Sequence, residues 1–251
     1  PPVVLINTDE EVGSRESTRH IRRLARIADR CLVLEPSLGP EGRLKTARKG
    51  VGRFTITIRG RAAHAGLNPE EGASAILELS HVIQKLFALN DPERGVTVNV
   101  GMIDGGLRAN VIAPTSEATV DVRVLQREDG ERIERIIHGL RPETEGVTIE
   151  VRGGIGRPPM EPTEGNRRLW RLAREAGEVL GLELEEGIAG GGSDGNTTSL
   201  YAPTLDGLGP VGDGAHARHE HVRLEHLAER TALLAALLLA PPLMHREVAC
   251  A

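Results

Sequence analysis

Adjacent carboxylates at Glu10 and Glu11, in the run Asn7-Thr8-Asp9-Glu10-Glu11-Val12-Gly13-Ser14, are the residues of this chain best suited to chemistry. Two neighbouring carboxylates repel unless something positive, such as a metal ion, holds them. One of them can ligate a metal while its neighbour acts as a base on the water that the metal activates. The same run also suits an acidic helix N-terminus, where the macrodipole favours Asp9 to Glu11. The residues alone leave both readings open. A second carboxylate, Glu35, follows the apolar stretch Cys31-Leu32-Val33-Leu34 and precedes Pro36. Five of the nine histidines, at 64, 216, 219, 221 and 226, are candidates for donor or ligand roles. His219-Glu220-His221-Val222-Arg223 is not a zinc-binding HExxH motif, because Arg223 occupies the second histidine position.

These groups need elements to position them. Val3-Val4-Leu5-Ile6 reads as a buried strand leading into the carboxylate pair, and residues 16–29 carry Ile21, Leu24, Ala25 and Ala28 at helical spacing. With the strand at 31–34, this βαβ-like opening predicts a parallel sheet, whose strand ends collect ligands and catalytic groups. From residue 50 the pattern changes to alternating strands at 54–59, 96–100, 116–125 and 147–151, with helices at 69–89 and 129–140. That order, β-α-β-β-α-β, describes a ferredoxin-like sandwich. Beyond it come a helix at 166–180, a glycine-rich stretch from Gly190 to Asn196, a strand at 204–208 and a last helix near Leu224. The fold class expected is an α/β domain with a mixed sheet and helices, formed by residues 1–49 and 154–251 and interrupted by an α+β insert at 50–153.

The bulk properties narrow the function. A chain of 251 residues supports a sizeable core, and a formal charge of −5 supplies no basic field for nucleic acid. The apolar run Leu233–Leu239 is too short to span a membrane and reads as a buried helix. Cys31 and Cys250 form no CxxC pair and are read as reduced thiols, an expectation that goes with a cytoplasmic location. No signal peptide is visible. The glycine-rich loop lacks Gly-Lys-Ser/Thr, which argues against phosphate cradling. The backbone N–H groups near Gly192 and Ser193 are expected to hold a substrate carboxylate instead.

Seven motifs in order resemble the dinuclear-zinc exopeptidase and deacylase family. That family includes glutamate carboxypeptidases, acetylornithine deacetylases and succinyl-diaminopimelate desuccinylases. The motifs are Thr8-Asp9-Glu10-Glu11-Val12-Gly13-Ser14, Glu35-Pro36, Arg61-Ala62-Ala63-His64-Ala65-Gly66, Ala109-Asn110-Val111-Ile112-Ala113-Pro114, Asp121-Val122-Arg123, Gly191-Gly192-Ser193-Asp194 and Gly212-Asp213-Gly214-Ala215-His216. The glutamate carboxypeptidase-like branch is the most similar. The resemblance implies a zinc-exopeptidase-like fold with a dimerisation insert. It implies Glu10 as general base, Glu11 and His216 as ligands of one zinc and Glu35 as a ligand of the second. His64 is then an oxyanion donor acting in a partner subunit's active site. Asn110 and Arg157 bind the substrate carboxylate.

Two zincs per complete subunit follow from the resemblance, with cobalt or manganese as substitutes. The implied partners are a peptide or N-acyl amino acid substrate and a second copy of the chain, with neither nucleic acid nor membrane. The implied reaction is hydrolysis of an amide next to a free carboxylate, with a biosynthetic N-acyl amino acid deacylase as the alternative within enzymes. The family's His-x-Asp motif and bridging Asp, normally upstream, do not occur in this sequence. The chain is therefore expected to be a family member lacking its N-terminal stretch, and the isolated fragment is expected to be inactive. Outside enzymes, the alternative is a non-catalytic dimerisation or binding module.

Overall fold

A computed structural model describes residues 1–243 of the chain; Cys250 lies outside the described residues. The elements run α1 (Thr18–Ala25), β1 (Cys31–Leu32), β2 (Leu44–Arg48), β3 (Gly50–Arg59), α2 (Ala75–Phe87), β4 (Thr97–Gly105), β5 (Thr115–Val124), α3 (Arg127–His138), β6 (Thr148–Arg157), α4 (Glu164–Val179), β7 (Glu186–Ala189), α5 (Asp194–Thr198), β8 (Thr204–Leu205), β9 (Gly212–Asp213), β10 (His221–Val222) and α6 (Leu227–Leu239). They divide into two compact units. One comprises residues 1–49 with the chain from Met160 onward, and the other is Gly50–Pro159.

In the insert, the strands form one antiparallel sheet in the order β4-β5-β3-β6. With two helices between strands, this is the ferredoxin-like order. Alternation explains it: Phe54, Ile56 and Ile58 of β3 and Ala118, Val120, Val122 and Val124 of β5 point to one face and are buried. Leu79, Val82 and Leu86 of α2 and Ile133 and Ile137 of α3 close the same core. β6 runs well past the alternating stretch at 147–151, because it pairs with β3 as far as Arg157 across a register shift. The unit consequently continues to Pro159.

In the other unit, β1 pairs with β8 and β2 with β7, both parallel, while β9 and β10 form an antiparallel pair. An antiparallel bridge between Lys45 and Asp206 links the two parallel pairs. Leu44, Leu205 and Leu208 meet Leu169, Trp170 and Ala173 of α4 and Leu233 and Leu237 of α6 in the core. The apolar run of α6 is buried on one face only, since Leu239 is 86% exposed. Among the described residues, no helix is long and apolar enough to cross a membrane.

The buried strand expected at Val3–Ile6 is not formed. The segment pairs with no strand among the described residues, and Val3, Val4 and Ile6 are exposed. Apolar character alone does not make a strand, because its N–H and C=O groups need a neighbouring edge.

Candidate active site

The acidic run folds as a compact turn. Glu10–Val12 form one turn of 3₁₀ helix, closed by Gly13 in the left-handed region and by a 2.8 Å bond from its N–H to the Glu10 carbonyl. Asp9 does serve a helix start. Its carboxylate accepts the N–H groups of Glu16 and Ser17 at 2.9 and 3.3 Å, just ahead of α1, and also the Ser17 hydroxyl. The Ser17 hydroxyl leads in holding the Asp9 carboxyl below its usual range. Glu10 and Glu11 themselves open the short 3₁₀ turn, so the acidic run as a whole also fits the helix-terminus reading.

Across the unit, Glu11 Oε2 lies 3.8 Å from His216 Nε2, and both side chains are more than three-quarters exposed. His216 has φ of 64°, a left-handed conformation uncommon for a residue with a side chain. The Gly212-Asp213 strand and the Gly214 turn before it turn the backbone there, and Gly214 itself lies at φ 77°.

Glu35 stands apart from this pair. Its carboxylate is half-buried and lies 4.0 Å from the Arg48 guanidinium. Burial pushes the Glu35 carboxyl up, Asp206 and Glu10 add to the push, and Arg48 and Lys45 oppose it. Carboxylate and imidazole are the donor types zinc takes, so Glu11 and His216 fit two positions of a metal site. Among the described residues, however, no group of three His, Cys, Asp or Glu side chains comes together to hold a metal ion. Glu11 and His216, read as ligands of one ion, come together, while Glu35, read as a ligand of the second, lies beside Arg48.

Ser193 also departs from expectation. It is fully buried, its N–H donates to the Asn196 side chain at 2.8 Å and its hydroxyl donates to Asp206 at 2.6 Å. Together with Asn196 it forms a capping box for α5. Its N–H is therefore committed to the fold and does not face a ligand. Gly192, half-buried beside it, belongs to a loop whose Gly191 carbonyl accepts from Arg48 at 3.0 Å.

Sequence reasoning missed a buried polar cluster beneath Glu35. Arg48 donates to both oxygens of Asp206, at 2.7 and 3.0 Å. Lys45 is buried alongside, and burial, with Arg48 nearby, holds its ammonium below the usual range. The signal was the polar tract Lys45-Thr46-Ala47-Arg48, which does not look like a buried strand until its partners are known.

In the insert unit, His64 and Asn110 sit on adjoining loops. His64 bridges to Val111, and the Asn110 carbonyl accepts the Ala65 N–H at 3.0 Å. The Nδ1 of His64 accepts the N–H groups of Gly66 and Leu67 at 3.1 and 3.2 Å. A neutral imidazole that accepts at Nδ1 carries its proton on Nε2. The exposed ring can therefore donate from Nε2. Arg157, the last residue of β6, is half-buried.

The fold is an α/β unit interrupted by a ferredoxin-like insert. Residues 46–145 match the family model of the peptidase dimerisation domain, M20_dimer. Carboxypeptidase G2 of Pseudomonas sp. (strain RS-16) is 31% identical over 247 residues, covering 94% of this chain and 58% of that protein. Aminopeptidase PepT of Bacillus cereus shares the fold with a TM-score of 0.75 at 24% identity, over 90% of this chain and 61% of that one. The YXEP protein of Bacillus subtilis, described as a dinuclear metal binding peptidase of the M20 family, matches with a TM-score of 0.60 at 20% identity, over 83% and 55%. The chain is thus similar in sequence and fold to M20 peptidases, and it spans somewhat over half the length of these proteins.

Proposed function

We propose that this chain is the larger part of an M20-type metallohydrolase that cleaves an amide bond next to a free carboxylate, in the manner of a carboxypeptidase. The observation that carries this reading is the 3.8 Å approach of Glu11 to His216 from distant parts of the chain, with Glu10 next to Glu11 in the same turn. In this reading Glu11 and His216 hold a zinc ion, which supplies Lewis-acid polarisation when bound. Cobalt or manganese would serve in its place. Glu10 takes the proton of the attacking water and passes it to the leaving nitrogen. His64 of one subunit, protonated on Nε2, donates to the developing oxyanion in the active site of its partner. Asn110 and Arg157 orient the substrate carboxylate, Arg157 with its forked donors. The protein acts as a cytoplasmic homodimer on short peptides or N-acyl amino acids.

The dimerisation-domain match supports self-association through the insert. In the sheet order, β4 is an edge strand that exposes Met102 and Ile103, and such an edge is a template for pairing. The test is to assay the full-length protein on Glu-terminated dipeptides and on N-acyl amino acids, with and without chelator. Chelator-sensitive release of a C-terminal amino acid supports the carboxypeptidase reading. Preference for N-acetyl substrates moves it to a deacylase. Self-association without any hydrolysis points to a binding module.

A further inference from the structure

We propose that Asp194 is a positioning residue that clamps both ends of the Glu10–Glu11 turn, an inference that rests on the catalytic reading of that turn. One carboxylate reaches the two flanks of the turn from far along the sequence. Its Oδ2 accepts from the Asn7 side-chain amide at 2.5 Å, and its Oδ1 accepts from the Ser14 hydroxyl at 2.5 Å. Asn7 stands three residues before Glu10, and Ser14 stands three residues after Glu11. Ser14 is 1% exposed and has φ of 52°, one of two non-glycine residues at positive φ among the described residues. A buried serine persists in that conformation only where its surroundings fix it, and the hydroxyl bond to Asp194 is such a fixture.

The turn is also closed from within. The Ser14 N–H donates to the Asp9 carbonyl at 2.7 Å, and the Ser14 carbonyl accepts the Thr18 N–H at 2.9 Å to begin α1. The carboxylate turn and α1 therefore meet at Ser14, and Asp194 holds that junction to α5. α5 is itself anchored, since the Asn196 amide beside it donates to the Lys49 carbonyl. The other flank is tied as well, because Asn7 donates to the Ser17 hydroxyl at 3.3 Å. A base must sit within hydrogen-bond reach of its proton, and small displacements of a reacting group cost much of the rate. Asp194 touches no reacting atom; its effect passes through the position of Glu10 and Glu11.

The experiment uses the full-length protein with Asp194→Ala, Asp194→Asn, Asn7→Asp, and the exchanged pair Asn7→Asp with Asp194→Asn. Amide exchange by mass spectrometry reads the turn, and steady-state kinetics on a Glu-terminated dipeptide reads kcat and KM separately. Asp194→Ala is expected to speed exchange across residues 9–14 by about tenfold or more, as expected for local opening, with exchange in the insert sheet unchanged. The same variant lowers kcat by up to about 10²-fold and leaves KM within a few-fold. Asn7→Asp sets two carboxylates face to face and is expected to be impaired as strongly. The exchanged pair restores an amide donor against a carboxylate acceptor, and the side-chain carbonyl introduced by Asp194→Asn is left to accept from Ser14. It is expected to recover most of kcat relative to either single variant. Unchanged exchange over residues 9–14 in Asp194→Ala overturns the proposal, as does an exchanged pair no better than Asn7→Asp alone. If the unsubstituted protein hydrolyses nothing, the catalytic reading fails, and the exchange measurement still decides the clamp.

Discussion

Arg48 and Asp206 form a bidentate ion pair in the interior, with N–O separations of 2.7 and 3.0 Å and side-chain exposures of 4% and 0%. The pair is a junction. Asp206 also accepts the Ser193 hydroxyl and the Gly207 N–H, while Arg48 also donates to the Gly191 carbonyl. Truncating one member of a buried pair leaves the other charge uncompensated, a loss of about 3–5 kcal/mol. Asp206→Ala and Arg48→Ala are each expected to lower unfolding stability by that amount in urea titrations. Arg48→Lys keeps the charge but cannot fork onto both oxygens and also reach Gly191, and its stability is expected to fall between that of the unsubstituted protein and that of Arg48→Ala.

Glu78 gives the insert an acid-sensitive joint. It is fully buried on α2 and accepts the backbone N–H of Glu143 at 3.0 Å and that of Thr144 at 2.7 Å. Burial pushes its carboxyl up, but hydrogen bonds from Thr144 and Glu143 and the charge of Lys85 outweigh it, and the net direction is down. A carboxyl lowered on folding contributes stability that is present above its unfolded value, near 4.5, and is lost as pH falls through the lower folded value. Urea midpoints are expected to drop below about pH 4.5. Glu78→Gln should flatten this acid dependence and cost about 1–3 kcal/mol at pH 7, because its amide cannot accept as a carboxylate does.

Cys31 is expected to be a quiet thiol. Burial pushes it up to about 11 from an ordinary 9.0, against weaker hydrogen bonds from Thr204 and Thr198. Its thiolate fraction at pH 8 is therefore about 100-fold below that of the unfolded chain, and reactivity follows the thiolate. In a Cys250→Ser background, labelling by a disulfide reagent should be slower in the native protein by at least that factor. A thiol raised on folding costs no stability below its unfolded value of 9.0, and stability is lost as pH rises from about 9 toward 11, because the unfolded thiol ionises there and the buried native one does not. Equal labelling rates in native and urea-unfolded protein would show that Cys31 is not shielded.

How legible the molecule is in its sequence depends on where the information for each part lies. β3 and β5 alternate apolar and polar residues because one face is buried, and that pattern is local, so the ferredoxin-like order can be read directly. β2 has all five residues buried, yet it reads Leu-Lys-Thr-Ala-Arg. Its polar side chains are satisfied from elsewhere: Thr46 by Glu186 at 2.6 Å and Arg48 by Asp206. No local pattern contains those partners. Val3–Ile6 fails in the opposite sense, being apolar and yet exposed for want of a paired edge. At the site, residue types pointed to Glu10, Glu11 and His216, and the last two meet. The surroundings of Glu35 are not legible, because Asp206 and Arg48 are brought beside it only by the tertiary structure. Ser193 was placed in the right loop, but its capping role depends on Asn196 and Asp206.

Self-association is expected to run through the insert. Sedimentation of the protein at micromolar concentration should give a dimer, and Ile103→Lys on the exposed part of β4 should shift it toward monomer by charging an apolar edge. A dimer indifferent to that charge would place the contact elsewhere.

The division of labour in the carboxylate turn is the sharpest test of the proposed chemistry. Glu11 faces His216 at 3.8 Å, whereas Glu10 lies close enough to Glu35 for its charge to push that carboxyl up. If Glu11 and His216 are ligands and Glu10 is the base, removing each has a different signature in the full-length protein. Glu10→Ala should nearly abolish turnover while zinc content stays close to normal, since a proton acceptor is lost and a ligand is not. Glu11→Ala and His216→Ala should deplete zinc together with activity. His64→Ala should leave zinc content intact and reduce kcat by about two to three orders of magnitude, the usual loss for one oxyanion donor. Metal analysis of purified variants beside their kinetics separates these outcomes. Loss of zinc in Glu10→Ala with retention in Glu11→Ala would reverse the two roles, and full activity in His64→Ala would remove His64 from the chemistry.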